Sequence, residues 1–134
     1  MRRIVLIIGG VLLAGLLLLI SPFVYDGIRS GLQSRALENR TDFPQIAAAC
    51  ATLLPAVTND VTRFSLTDPR VPPLLRSLSP RRITAFSDQI TLEFHGGEVL
   101  YGYRFRQDAT NLKRWTLYYY TGQMEKPLTT IVPD

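Results

Sequence analysis

The sequence predicts an α+β chain: an N-terminal transmembrane helix, then a small domain in which a helix packs on a four-stranded antiparallel meander sheet. Three observations predict it. Ile4 to Tyr25, IVLIIGGVLLAGLLLLISPFVY, carries no acidic or basic side chain. TDFPQIAAACATLLPAV has the apolar spacing of an amphipathic helix. From Ile83 to Tyr120, apolar and polar residues alternate around turn signals.

The opening run comes first. As a helix, its 22 residues span about 33 Å at 1.5 Å each, matching a hydrocarbon core of about 30 Å. Ile4 to Ile20 contains thirteen Ile, Leu or Val residues, each favouring insertion by roughly 0.3–0.6 kcal/mol at the helix centre. The run is apolar on every face, whereas the helix of a soluble domain keeps a polar stripe. Cleaved signal sequences have apolar regions of about 7–15 residues and a small-residue cleavage site. This run is longer, and SPFVYD after it offers no A-x-A pattern. Residues 1–25 therefore read as an uncleaved anchor, with Pro22 and Tyr25 at its interfacial end. Arg2 and Arg3 lie on one side, and Arg29, Arg35 and Arg40 on the other, so the positive-inside count is balanced. The short basic tail assigns the N-terminus to the cytoplasm and the C-terminal domain to the extracytoplasmic side of the cell membrane. Gly10 and Ala14 form a small-xxx-small spacing that suits close packing of two transmembrane helices.

Residues 26–40 read as a juxtamembrane helical stalk. Ile28, Leu32 and Ala36 recur four apart, and Gly27 and Gly31 weaken the pattern. The stalk lies along lipid or leads into the domain, residues 41–134. There, Asp42 or Phe43 caps a helix with Pro44 in its first turn, where a missing N–H costs nothing. Ile46, Ala49, Cys50, Leu53 and Leu54 form its buried face. Cys50 on that face reads as a small core hydrophobe, and a single cysteine makes no intramolecular disulfide. Asp60–Leu66 reads as a short strand and DPRVPP as a connector. Leu74, Leu75 and Leu78 read as a short helix stopped by Pro80.

In the sheet, Ile90, Leu92 and Phe94 alternate with Thr91, Glu93 and His95, and Gly96–Gly97 is a two-residue hairpin signal. A turn centred there sets Phe94 against Val99, Leu92 against Tyr101 and Ile90 against Tyr103. The next hairpin, around Asp108–Leu112, sets Phe105 against Trp115, Tyr103 against Leu117 and Tyr101 against Tyr119. A Ser87–Asp88 turn, without glycine, places Ala85 by Ile90 and Ile83 by Leu92. The layout, helices followed by an antiparallel sheet, is similar to that of cystatin-like folds and pilin-like subunits. The opening segment lacks the glycine-then-glutamate processing pattern of pilin precursors.

Charge and chemistry narrow the function classes. The chain of 134 residues has 15 basic and 11 acidic residues, a net +4, of which Arg2 and Arg3 supply half. The domain is too balanced for nucleic-acid binding. No phosphate-loop or dinucleotide motif is present. His95 is the sole histidine; opposite Glu98 and beside Glu93 it offers only a thin basis for a metal or acid/base site. No cofactor, metal ligand set or catalytic constellation is expected. Arg76, Arg81 and Arg82 flank the Leu-rich turn, within reach of anionic headgroups if the domain rests near the bilayer. The outer face of the sheet gathers Leu100, Gly102, Tyr118 and Tyr120, ringed by Glu93, Arg104, Arg106 and Arg114. Tyr and Arg concentrate where binding energy is found, so this face is the candidate interaction surface for a protein partner or a second copy. The expected function is non-enzymatic binding or assembly in the cell envelope, with the lipid bilayer as one partner and a pilin-like or secretion-system subunit as the alternative.

Overall fold

In a computed structural model, which describes residues 1–58, 60–96 and 98–134, the chain is α+β. Helix α1, Arg2–Glu38, runs 37 residues without a break, about 55 Å at 1.5 Å per residue. Its N-terminal two-thirds is exposed on every side. It is long and apolar enough to cross a bilayer. Pro22 lies inside the helix; it has no N–H to give the carbonyl four residues back, a loss that transmembrane helices tolerate.

Helix α2, Phe43–Ala51, starts after Asp42 with Pro44 in its first turn. Arg40 and Asp42 form an ion pair at 2.6 Å just before it. Asp42 is held below the usual carboxylate range by that hydrogen bond. Ile46, Ala47, Ala49, Cys50 and Leu53 are buried. Burial pushes the Cys50 thiol up to about 12, so it stays protonated at neutral pH and inert as a nucleophile. A 3-10 turn, Leu54–Ala56, follows. The short helix α3, Pro73–Ser77, buries Leu75, and Pro80 beyond it is fully buried.

The sheet has six antiparallel strands in sequence order, β1 Thr62–Phe64, β2 Arg82–Ala85, β3 Gln89–Phe94, β4 Tyr101–Gln107, β5 Trp115–Thr121 and β6 Met124–Ile131. The expected four-stranded meander is β2 to β5; the short strand expected over Asp60–Leu66 joins its edge as β1, and β6 is the strand the sequence pattern did not reveal. At one edge, β1 is only three residues long. At the other, Pro127 and the charged pair Glu125–Lys126 hide the alternation of β6, and a bulge between Leu117 and Tyr118 shifts its register. Both features are characteristic of edge strands. Gly122, at φ 58°, makes the tight β5–β6 turn.

The glycine-free turn after Ala85 has the expected register, with Ile83 opposite Leu92 and Ala85 opposite Ile90. The next two hairpins differ from expectation by two residues. Phe94 pairs with Tyr101 rather than Val99, Leu92 with Tyr103 and Ile90 with Phe105. Tyr103 pairs with Tyr119 and Phe105 with Leu117, while Trp115 opposes Gln107. A shift of two keeps every side chain on its expected face. The β3–β4 connection thus spans residues 95–100, and Gly97, half of the expected turn, lies outside the described residues. Gly96 is required for a different reason. A Cβ there would sit 2.5 Å from the Val99 carbonyl oxygen and 2.7 Å from the Tyr101 ring. Val99 is released to solvent at 53% exposure.

The inner face joins helices to sheet. Phe94 and Tyr103 meet edge to face at 6.0 Å, and Phe105 stacks on Trp115 at 5.0 Å. The last turns of α1 dock there through tyrosine hydroxyls. The Tyr101 hydroxyl, with one proton to give, lies 2.9 Å from Gln33 Oε1 and 2.8 Å from the His95 carbonyl. Tyr103 donates to the Leu37 carbonyl at 2.5 Å, and Ser34 bonds the Tyr119 hydroxyl. Burial pushes the Tyr103 phenol well up, keeping it a donor across the physiological range. The docked stripe is therefore Ser30, Gln33, Ser34 and Leu37, at helical spacing. Ile28 and Leu32, the apolar stripe of the stalk, remain 59% and 62% exposed. We expect Tyr103→Phe, which strands the Leu37 carbonyl, to lower stability by about 1–2 kcal/mol and to speed amide exchange in the last turn of α1. Denaturant unfolding and hydrogen exchange on the full chain would show it.

Candidate functional site

The outer face of the sheet is built by strict alternation. Rows of residues cross β3, β4, β5 and β6: Glu93, Gly102, Tyr120 and Glu125; then Thr91, Arg104, Tyr118 and Pro127; then Gln89, Arg106, Thr116 and Thr130. Diagonal contacts knit the rows. The Arg104 guanidinium lies 4.6 Å over the Tyr120 ring, and that of Arg106 lies 5.3 Å over Tyr118. Such stacking contributes about 0.5–1 kcal/mol at an exposed site and more when desolvated. Glu125 accepts from both arginines, from Arg106 Nη2 at 2.7 Å. Gln89 accepts from Arg106 Nε at 3.2 Å.

This packing changes the character of the surface. Tyr120 is only 4% exposed. Desolvation, then the Glu93 charge, pushes its phenol up to about 12 against the opposing pull of Arg104. Desolvation, then Arg106, lowers the Arg104 pKa, and its buried Nε has no hydrogen-bond partner among the described residues. What faces outward is a flat, half-exposed layer of guanidinium and amide planes over tyrosine, not an open aromatic patch. At Gly102 the backbones of β3 and β4 come close together. A Cβ there would lie 1.9 Å from the Leu92 carbonyl oxygen, so its place in the layer is dictated by backbone approach.

Two residues of the expected surface lie elsewhere. Leu100 belongs to the β3–β4 connection, where its carbonyl accepts from Gly122 N at 2.8 Å. The two-residue register shift removed it from the strand. Arg114 is engaged in the β4–β5 loop by Asp108, with Nε at 2.8 Å from Oδ2. Asp108 is held well below the usual carboxylate range by the Thr110 hydroxyl, the Thr110 backbone amide and Arg114, in that order. The three arginines beside the Leu-rich turn also part. Arg76 Nη2 donates to the Asp68 carbonyl at 2.9 Å, and Arg82 opposes Glu93 on the outer face. Arg81 lines a cleft.

That cleft, of about 250 Å³, lies between α1 and the domain. Asp26, Arg29, Ser30 and Gln33 of α1 form one wall; Ser79, Arg81, His95 and Gly96 form the other. His95 is therefore apart from Glu93, which faces the outer layer. The proposed opposition of His95 and Glu98 does not form, because both lie in the unpaired connection. Among the described residues, no three His, Cys, Asp or Glu side chains come together in a metal-binding group. Sequence reasoning missed the cleft. Its signal was the polar stripe Asp26, Arg29, Ser30 and Gln33 recurring at helical spacing, masked by the apolar stripe beside it.

Gly10 and Ala14 share one side of the exposed part of α1, and among the described residues nothing outside the helix's own backbone lies within 4 Å of where a Gly10 Cβ would be. No protein-family model matches the chain, and neither a curated protein nor a solved structure is significantly similar to it. Gly102→Ala is expected to destabilise the domain by about 1–3 kcal/mol, the cost of overpacking. Chemical denaturation would register it as a lower midpoint with an unchanged slope.

Proposed function

We propose that the chain is a single-pass membrane protein, its N-terminus cytoplasmic and its domain extracytoplasmic, and that it works as a non-enzymatic binding or assembly component of the cell envelope. The supporting observation is the division of labour between the two sheet faces. The inner face is consumed by α1, α2 and the core. On the outer face Gln89, Thr91, Arg104, Arg106, Thr116 and Tyr118 stay half-exposed, with no helix over them. Arg and Tyr in a rigid layer suit a protein partner that presents carboxylates or carbonyls to the guanidinium planes. Gly10 and Ala14 offer a second contact within the bilayer if two copies associate.

A pilin-like or secretion-system structural subunit is the second reading. What favours it is a single helix that protrudes as an apolar rod and then docks by its C-terminal turns on an antiparallel sheet. Filament formation by the purified full chain separates it from the first reading.

Two measurements test the proposal. The full-length chain is expected to pellet with membranes and to resist carbonate extraction; release into the supernatant with an intact N-terminus would remove the anchor. A photocrosslinker placed at Thr116 in intact membranes is expected to give one adduct of defined mass, lost in Arg106→Glu. The same crosslinker at Ser77, an exposed position on α3, serves as the control. Equal capture at both positions overturns the docking role of the outer face.

A further inference from the structure

We propose that the cleft between α1 and the domain is a binding site for a phosphate-bearing anion, supplied by the headgroup of an anionic phospholipid. The inference rests on the membrane-anchored reading for its source of ligand and on the cleft's own chemistry for its ligand class.

Position comes first. The apolar run ends at Tyr25, and Arg29 lies four residues on, about 6 Å along the helix axis at 1.5 Å per residue. The headgroup layer on each side of a bilayer is about 5–7 Å deep, the difference between a core of about 30 Å and a total of about 40–45 Å. The mouth of the cleft thus falls at headgroup depth. Acyl chains of a lipid held there would continue along the apolar surface of α1.

Chemistry comes second. Arg29 projects from one wall and Arg81 from the other. Neither has a carboxylate partner among the described residues, whereas Arg40, Arg70, Arg104, Arg106 and Arg114 each have one. Asp26 lines the same cleft and pairs with neither arginine. The balance of the walls is therefore positive, two guanidinium groups against one carboxylate, with the His95 imidazole beside them. Each wall thus brings one guanidinium, whose fork of N–H donors suits phosphate oxygens. Gln33 adds a side-chain amide to the α1 wall. Its Oε1 is occupied by the Tyr101 hydroxyl, which leaves its amide Nε2 without a partner among the described residues. The same Tyr101 hydroxyl reaches the His95 carbonyl, tying the two walls together before any ligand arrives. At about 250 Å³ the space suits a small headgroup and lies below the roughly 300–1,000 Å³ of pockets for drug-sized ligands.

The test uses the full chain in detergent, offered equal amounts of phosphatidylglycerol and phosphatidylcholine and weighed by native mass spectrometry. Phosphatidylglycerol should be retained in preference, and retention should fall at least fivefold in Arg29→Gln/Arg81→Gln. Arg63→Gln/Arg82→Gln, which removes two charges from the outer face, should retain it as the wild type does. Gln33→Glu provides a second route: it keeps the acceptor for Tyr101 and places a negative charge in the cleft, so it too should lose the lipid. The imidazole resonance of His95, the sole histidine, should shift with phosphatidylglycerol in the wild type only. Glycerol phosphate is the soluble arm. A His95 shift with glycerol phosphate but no lipid retention overturns the lipid as the source. Equal retention in wild type, Arg29→Gln/Arg81→Gln and Gln33→Glu overturns the site itself. Membrane pelleting of the same variants reports on the anchor separately, because none of these substitutions touches the apolar run.

Discussion

Three phenol hydroxyls hold this molecule together in a functional sense. Tyr101, Tyr103 and Tyr119 rise from β4 and β5 and bond Gln33, Ser34 and the Leu37 carbonyl on the last turns of α1. Buried apolar contact there is slight, with Leu37 as the one buried residue of the helix. Polar groups taken out of water must be paired, and losing one partner costs more than the net value of the bond. The hydroxyl row therefore fixes where the helix sits as well as how firmly. It sets the angle at which the apolar rod leaves the domain. It also brings Asp26 and Arg29 opposite Arg81 and His95, and it commits the inner face so that only the outer one is left to meet anything else.

The outer face follows a related logic with charge in place of hydroxyls. An antiparallel sheet with one solvated side usually shows plain polar alternation. Here two arginines lie over two tyrosine rings, and one carboxylate, Glu125, accepts from both. The layer costs desolvation, visible in the lowered pKa of Arg104 and the raised phenol of Tyr120. It gives in return a surface whose side chains are ordered before contact, which reduces the entropy lost on association.

Much of this was legible in the residues. The apolar rod, α2 with its proline start and its buried face around Ile46 and Cys50, the Leu75 turn and the alternation of β2 to β5 all follow from local pattern. Face assignment survived even where register did not, because the hairpins slipped by two residues and side chains alternate with period two. The slip itself was not legible. Gly96–Gly97 reads as a tight turn, yet Gly96 is small because the Val99 carbonyl and the Tyr101 ring crowd it, contacts that a two-residue turn would not make. β6 was hidden by Pro127, and the helix stripe that docks was polar, where amphipathic reasoning looks for apolar. Leu100 and Arg114 left the candidate surface for different reasons, one through register and one through the pull of Asp108 within the β4–β5 loop.

The two margins of the sheet differ from its centre. β1 offers three residues, and β6 carries Pro127, Lys126 and a bulge. A strand arriving alongside β6 would meet a position with no N–H to give, beside a local irregularity that turns the backbone out of line. Fibril-like growth by adding strand to strand is thus disfavoured at both rims. An ordered contact between two copies of this domain would therefore have to run through side chains on a broad face, not through backbone pairing at a sheet edge.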